Sequence, residues 1–297
     1  KGGKCLFKKA TRLNSGEQSI KTQQKVKIID ELRQSFRLEL LLKVSNVKRS
    51  VFYYHLKHLQ LGDKYAALKE EIKSIFTQHK GNYGYRRIYL TLRKTGHKVN
   101  HKTVLRLMQE MGLKAKVKAK KYRSYKGDVG KVAENKLDRI FEAEAPAQVW
   151  LTDVTEFKVN GIKLYLSAFL DVFNREIVGH AISRNPNFQL IQSSFEKAVK
   201  NSSNPFETLV HSDQGWLYQI GKFQRLLAPY QMKQSMSRKG NCHDNALMEG
   251  FFGILKNECI YKEKFESEQA AIQCINQYIK YYNFERIKAK LNGCSPV

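Results

Sequence analysis

The sequence predicts an α/β domain, a mixed sheet flanked by helices, preceded by all-α helix-turn-helix modules. Three observations predict it. Charge is split: within a net +26, residues 1–126 carry 32 Lys and Arg against 8 Asp and Glu, while residues 127–297 carry 21 against 19. Apolar residues recur at helical spacing up to about residue 112. From Gln148 the texture changes to strand-like runs separated by short turns. A chain of 297 residues has room for about two domains, and 42% apolar content supplies a core.

Residues 1–22 are polar, basic and Gly/Ser-containing, and are expected to form a poorly ordered arm. Val26, Ile29 and Leu32, then Leu38, Leu41 and Leu42, mark helical stretches. In KVSNVKRSVFYYHLKHL the chain turns at Ser45–Asn46 and re-enters a helix from about Lys48 to Leu59. Helix, tight turn and basic helix make a helix-turn-helix pattern over residues 23–61, with Lys48 and Arg49 expected to face DNA. The aromatic FYYH, residues 52–55, reads as core packing. A second such module spans residues 62–113. Its helices are 64–79, Tyr85–Lys94 stopped by Gly96, and a third that Asn100 caps and Gly112 ends. The third helix buries Val104, Leu107, Met108 and Met111. It leaves His101, Lys102 and Arg106 for DNA, with Arg86 and Arg87 on the helix before. Residues 114–147 read as a basic linker, with seven Lys or Arg in 114–126. A single charge run is ordinarily a solvated face. An excess that continues through two helix-turn-helix patterns and a linker is the footprint of a polyanion-binding surface, with nucleic acid as the partner.

A membrane partner is disfavoured because no run of about 18 apolar residues occurs. Five widely spaced cysteines without CxxC (Cys5, Cys242, Cys259, Cys274, Cys294) read as reduced intracellular thiols. No secretory signal pattern is present. A chain that opens on Lys1 and stops at GCSPV is expected to be trimmed at both ends.

In residues 148–297, VWLTDVTEFKV, KLYLSAFLDVF and IVGHAIS predict an antiparallel meander. A helix over Phe188–Lys200, a short strand TLVHSD, a helix over Tyr218–Leu227 and a basic loop SMSRKGNCHDN follow. Two further helices complete the domain, the second over Ser267–Tyr282. Asp153 sits in an apolar strand, where an ionised carboxylate needs a cation or strong donors. Asp213 ends a short strand. On the helix after the basic loop, Asn245, Glu249, Phe252 and Lys256 fall within roughly a 60° arc, with Leu247, Phe251, Ile254 and Leu255 opposite. Three acids from two strands and a helix suit two hard divalent cations and in-line phosphoryl transfer. Each acid alone proves little, and Asp171 in FLDVF is read as structural, pairing with Arg175 across the turn. His211 either orients Asp213 or is a packed strand-end histidine.

VWLTDVTEF, HSDQGWLY and SMSRKGNCHDNALMEGFFGILKNE resemble the signature blocks of insertion-sequence transposases of the IS-three family. These are DDE recombinases that share an RNase H-like fold with retroviral integrases. Thirty-five residues separate Asp213 from Glu249, as in that family, and Lys256 matches its recurring basic residue seven positions on. NYGYRRIYLTLRKTGHKVNHKTVLRLMQEMGL resembles the family's helix-turn-helix block, and YIKYYNFERIKAKLNGCSPV its closing segment. The resemblance implies an RNase H-like catalytic domain over residues 148–297, in which Asp153, Asp213 and Glu249 coordinate two Mg²⁺ ions, Mn²⁺ substituting. One ion would activate the attacking water or 3′-hydroxyl and the other would stabilise the departing oxygen. Lys256 would contact DNA beside the metals, with Asn245, Arg238 and Lys239 near it. The implied reaction is single-strand cleavage at each element end, joining, circle formation and reinsertion. Double-stranded DNA, transposon ends and target alike, would be the partner of a homodimer or higher oligomer in a synaptic complex. No small-molecule substrate is implied, and the expected location is the bacterial cytoplasm, at the nucleoid. On this reading Cys242 and His243 belong to the loop, Asp244 caps the helix, and Glu249 is the ligand in an all-oxygen site.

Two other functions fit part of the pattern. A non-catalytic DNA-binding regulator explains the basic half but needs no such acids. A ribonuclease H or resolvase-like nuclease shares the metal site without needing sequence-reading modules. A zinc module on His55 and His58 is rejected for want of the CxxC partner.

Overall fold

The computed structural model describes residues 22–60, 63–115, 133–135, 143–238 and 245–297. The expected arm up to Lys21, most of the linker, and Lys239 to Asp244 lie outside the described residues. Contacts separate two compact units on either side of Lys73–Ser74.

In the first unit, α1 (Thr22–Leu32), α2 (Leu38–Ser45) and α3 (Arg49–Gln60) close over a core that includes Ile29, Leu32, Leu41 and Phe52. The expected tight turn is Asn46, whose left-handed φ of +53° ends α2, a conformation that asparagine tolerates. Of the FYYH aromatics only Phe52 is core; Tyr53 and Tyr54 are 46% and 60% exposed. Successive helical positions rotate by about 100°, so three aromatics in a row cannot share one buried face.

α4 (Ala66–Gln78) crosses from the first unit into the second, where α5 (Tyr85–Lys94) and α6 (His101–Glu110) follow. Asn100 caps α6 through its side chain, which accepts the Lys102 N–H at 2.8 Å. Val104, Leu107 and Met108 are buried. Met111, expected with them, is only partly buried because it is already the C-cap, where the chain leaves the helix.

The sheet has the order β3-β2-β1-β4-β5. β1 (Val149–Val159), β2 (Ile162–Asp171) and β3 (Ile177–Ser183) form the antiparallel meander. Asn160 and Gly161, with φ of +48° and +82°, make the two-residue hairpin turn that an Asn-Gly pair favours. β4 (Leu209–Ser212) pairs parallel with β1, and β5 (Lys233–Met236) parallel with β4. β5 is not legible locally: KQSM carries no apolar alternation, and its strand form comes from pairing with β4.

Strand residues alternate between faces, so neighbours Trp150 and Leu151 enter different cores. Trp150 packs with Phe169, Phe195 and Phe223, on the side of α7 (Phe188–Asn201), α8 (Trp216–Gln219) and α9 (Gly221–Leu227). Leu151 packs with Phe251, Leu255 and Ile275, from α10 (Ala246–Leu255) and α11 (Glu268–Phe284). The helix expected over Tyr218–Leu227 is broken at Ile220, which is extended at φ −79°, ψ 142°. α7 lies so close to β3 that a Cβ on Gly179 would meet Ser194 O at 2.3 Å, so only glycine fits there. This is the RNase H-like mixed sheet with helices on both faces. Among the described residues no helix is long and apolar enough to cross a membrane, and Cys259, Cys274 and Cys294 are free thiols.

Candidate active site

Parallel pairing of β1 with β4 matches Thr152 to Ser212. The next residue after each is an aspartate, Asp153 within β1 and Asp213 just past the end of β4, so the two come side by side although they are far apart in the chain. Asp153 Oδ1 accepts the Val154 N–H at 2.7 Å, and Asp213 Oδ1 accepts the Gly215 N–H at 2.9 Å. A Cβ at Gly215 would stand 2.8 Å from that same Asp213 oxygen, so the glycine makes room for the carboxylate to fold back.

α10 enters beside the strands. Its N-cap is Asn245, whose side-chain amide donates to Thr152 O at 3.4 Å. Asn245 is buried, and its Oδ1 has no hydrogen-bond partner among the described residues. The cap expected of Asp244 lies outside the described residues. Glu249 sits in the first turn of α10, and Lys256 immediately follows the helix. The expected polar stripe is narrower than its arc: Phe252 is buried with Met248, Phe251 and Leu255, because the helix lies between the sheet and α11 and presents a wide apolar face to both.

Desolvation and then the charges of Asp213 and Glu249 push the Asp153 carboxyl well above the usual carboxylate range, against a smaller opposing effect of Lys256. Desolvation raises Asp213 too, with the Gly215 hydrogen bond opposing it. Both acids thus carry an electrostatic load that a cation would relieve. Among the described residues no three His, Cys, Asp or Glu side chains form a closed metal cluster. Among the described residues the donor chemistry nonetheless fits a hard divalent ion: carboxylate oxygens and, nearby, a buried amide oxygen, Asn245 Oδ1, without a hydrogen-bond partner there.

Behind the acids, Tyr218 lies fully desolvated with its hydroxyl 3.2 Å from Thr152 Oγ1; burial, then Asp153 and Asp213, drive that phenol well above its ordinary range. Thr152, Tyr218 and Gly215 were not singled out from sequence; the exposed-looking GW pair after Asp213 gave no hint that its neighbours brace the site. His211 is the packed strand-end histidine, with its ring nitrogens 2.9 Å from Ser235 Oγ and 3.2 Å from Ser237 Oγ. Asp171 is structural: it accepts N–H groups from Ala147 at 2.7 Å, Phe173 at 2.9 Å and the Trp150 indole at 3.3 Å. These three donors hold it, with the charge of Arg175 only a minor influence.

Among the candidate DNA contacts, Arg86, His101, Lys102, Arg106, Lys48, Arg49 and Arg238 are exposed, and Lys239 lies outside the described residues. Arg87 is the exception and corrects the expectation. It turns inward over the Tyr83 ring at 5.5 Å and lies 4.0 Å from Glu258, because position 87 falls on the face of α5 that packs against the catalytic body. Arg93, His97 and Lys98 join His101 in lining an open cleft of about 660 Å³ between α5 and α6. Their basic character was legible, but the loop that gathers them was not.

Comparison with known proteins places this architecture. An HTH-like domain matches residues 64–121, and integrase core domains match residues 143–242 and 249–297. The InsK protein for insertion sequence element IS150 of Escherichia coli (strain K12) is 46% identical over 272 residues, 92% of this chain and 96% of that protein. Transposase InsF for insertion sequence IS3A of the same organism is 31% identical over 275 residues, 90% of this chain and 95% of InsF. The HTLV-2 integrase catalytic core domain, solved in complex with magnesium, is 20% identical with a TM-score of 0.44, covering 52% of this chain and 97% of that one. The chain belongs to the IS-three family of insertion-sequence transposases, polynucleotidyl transferases that join an HTH-like DNA-binding region to an integrase core.

Proposed function

We propose that this transposase cuts and joins DNA at the ends of its insertion sequence, with Asp153, Asp213 and Glu249 as the catalytic, metal-binding acids. The observation that carries the reading is the β1–β4 register, which sets Asp153 beside Asp213 where the charges of Glu249 and Lys256 act on Asp153. Mg²⁺ suits the all-oxygen donors, with Mn²⁺ as a substitute. Two such ions, when bound, supply activation of the attacking water or 3′-hydroxyl and stabilisation of the departing oxygen.

The chain's own residues do the rest. Asp153 holds its carboxylate within β1 and Asp213 at the end of β4, and α10 delivers Glu249. Lys256 carries a positive charge to the DNA phosphate next to the acids, with Arg238 and Lys239 alongside, while Asn245, expected with them, is buried against Thr152 and positions α10 instead. Residues 23–61 and 62–113 serve as the modules that read the terminal inverted repeats, 114–147 as a basic linker and 148–297 as the catalytic domain. Lys48, Arg49, Arg86, His101, Lys102 and Arg106 supply phosphate and base contacts. The products are a circle and then an integrated copy. Two ends must be held together for that, so the working form is a homodimer or larger synaptic assembly.

The test is a labelled element-end duplex incubated with Mg²⁺ and the full chain. Wild type nicks one strand at the end and joins it; Asp153→Asn, Asp213→Asn and Glu249→Gln bind the duplex and do neither. Mg²⁺-dependent cleavage by any of the three overturns the site. Binding without nicking by wild type would make the protein a regulator, and nicking without joining a nuclease.

A further inference from the structure

The helix pair α5–α6 belongs to the same compact unit as the catalytic sheet, and it is attached through a polar, partly buried network. Tyr83, fully buried, accepts the Ile287 N–H at 3.0 Å and donates to Glu285 O at 3.4 Å. The His79 ring stacks on Tyr83 at 3.7 Å, with its Nδ1 2.9 Å from the Tyr281 hydroxyl. At the centre stands Glu258. Arg286, 1% exposed, donates to both its oxygens at 2.8 and 2.7 Å, and the Tyr278 hydroxyl donates at 2.9 Å. Arg87 of α5 approaches the same carboxylate at 4.0 Å.

Glu258 lies in the turn Lys256–Ile260 that continues α10, the helix of Glu249. One carboxylate therefore connects α10, the C-terminal segment through Arg286, and α5 through Arg87. A forked Arg–carboxylate pair out of water holds one geometry, because swivelling would strand two buried charges. Aromatic stacking and the backbone bonds of Tyr83 remove the remaining freedom.

We propose that Glu258 is a positioning residue that makes α5–α6 a rigid limb of the catalytic body, so that the distance from the DNA-reading face of α6 to the acids selects the phosphate that is cut. This rests on the proposed reading that α6 contacts element-end DNA and that the three acids cut it. A module on a loose tether would give affinity for the end without specifying the bond. A rigid limb specifies it, and a misplacement of about 1 Å costs on the order of 10²-fold in rate.

The test uses the full chain with spin labels, introduced as encoded amino acids at Gln109 on α6 and Glu196 on α7, both exposed. Wild type should give one narrow distance distribution that end DNA leaves unchanged. Glu258→Gln should broaden it, keep end binding within about threefold, lower the cleavage rate by about 10²-fold and scatter the cut over neighbouring phosphates. Arg87→Met, which leaves the Glu258–Arg286 pair in place, should scatter the cut as well, separating positioning from failure to fold. A broad wild-type distribution, a shift on DNA addition, or a single cut position in both variants overturns the proposal. A narrow distribution combined with unchanged end binding by Arg106→Ala would instead remove the DNA-reading role of α6, and the proposal with it, while the limb stayed rigid.

Discussion

The side-chain amide of Asn245 donates to the carbonyl oxygen of Thr152 at 3.4 Å, tying the start of α10 to the strand residue just before Asp153. This bond fixes where the helix carrying Glu249 begins relative to the strand carrying Asp153. Asn245→Ala should leave end-DNA affinity near wild type and lower the cleavage rate by about 10- to 100-fold, since positioning is lost and binding is not. Parallel measurement of end binding and single-turnover cleavage checks it; equal losses in both would assign Asn245 to DNA binding alone.

Gly215 is required for space. Gly215→Ala would put a methyl group 2.8 Å from Asp213 Oδ1, and the carboxylate is the flexible partner that must move. The expected outcome is a Tm within a few degrees of wild type and a cleavage rate lower by about 10-fold or more. Thermal melting and cleavage assays on the same preparation decide it; a fully active variant would show that the Asp213 rotamer is not critical.

The acids load the fold in the absence of metal. Desolvation and the neighbouring carboxylates raise Asp153, and desolvation raises Asp213. A folded pKa above the unfolded one contributes stability that is complete below the ordinary carboxylate range and is lost as pH rises through the raised value. At neutral pH, then, Asp153→Asn should melt higher than metal-free wild type, by about 2–4 °C for each kcal/mol relieved, and the difference should vanish in acid. Mg²⁺ should stabilise wild type more at about pH 8 than at about pH 6, because protons compete for the same oxygens. Melting curves across pH, with and without Mg²⁺, test both signs.

Asp171 is an acid of the other kind. Asp171→Ala strands the Ala147, Phe173 and Trp150 N–H donors inside the core, at a cost on the order of 3 kcal/mol. Chemical denaturation should show that loss, while the folded fraction retains its Mg²⁺ response. Loss of the Mg²⁺ response in folded protein would move Asp171 into the active site.

DNA contacts and interior arginines should separate by salt. Each phosphate contact removed lowers the salt slope of binding by about 1. Arg106→Ala and Lys102→Ala should each do so, whereas Arg87→Ala should leave the slope unchanged, since Arg87 faces Glu258 and Tyr83. Titration of end-duplex affinity against salt measures it; a reduced slope for Arg87→Ala would place that guanidinium on DNA.

The sequence by itself determined most of the elements. Strand-like apolar runs separated by short turns specify the β1–β2 hairpin, Asn100 and Gly112 delimit α6, and the charge split marks one half as basic. It also offered Asp153, Asp213 and Glu249 as the candidate acids, through an acid inside an apolar strand, an acid at a strand end, helical spacing and family blocks. What only the tertiary structure decided is which residues face one another. β5 exists because β4 offers it a pairing edge, Phe252 is buried because α11 covers that side of α10, and Arg87 belongs to Glu258 rather than to DNA. Asp153 and Asp213 become neighbours through the strand register alone. Local propensity acts over a turn or a strand, whereas register, cross-chain packing and shared burial depend on contacts between segments distant in sequence, and these decide the electrostatics of the site.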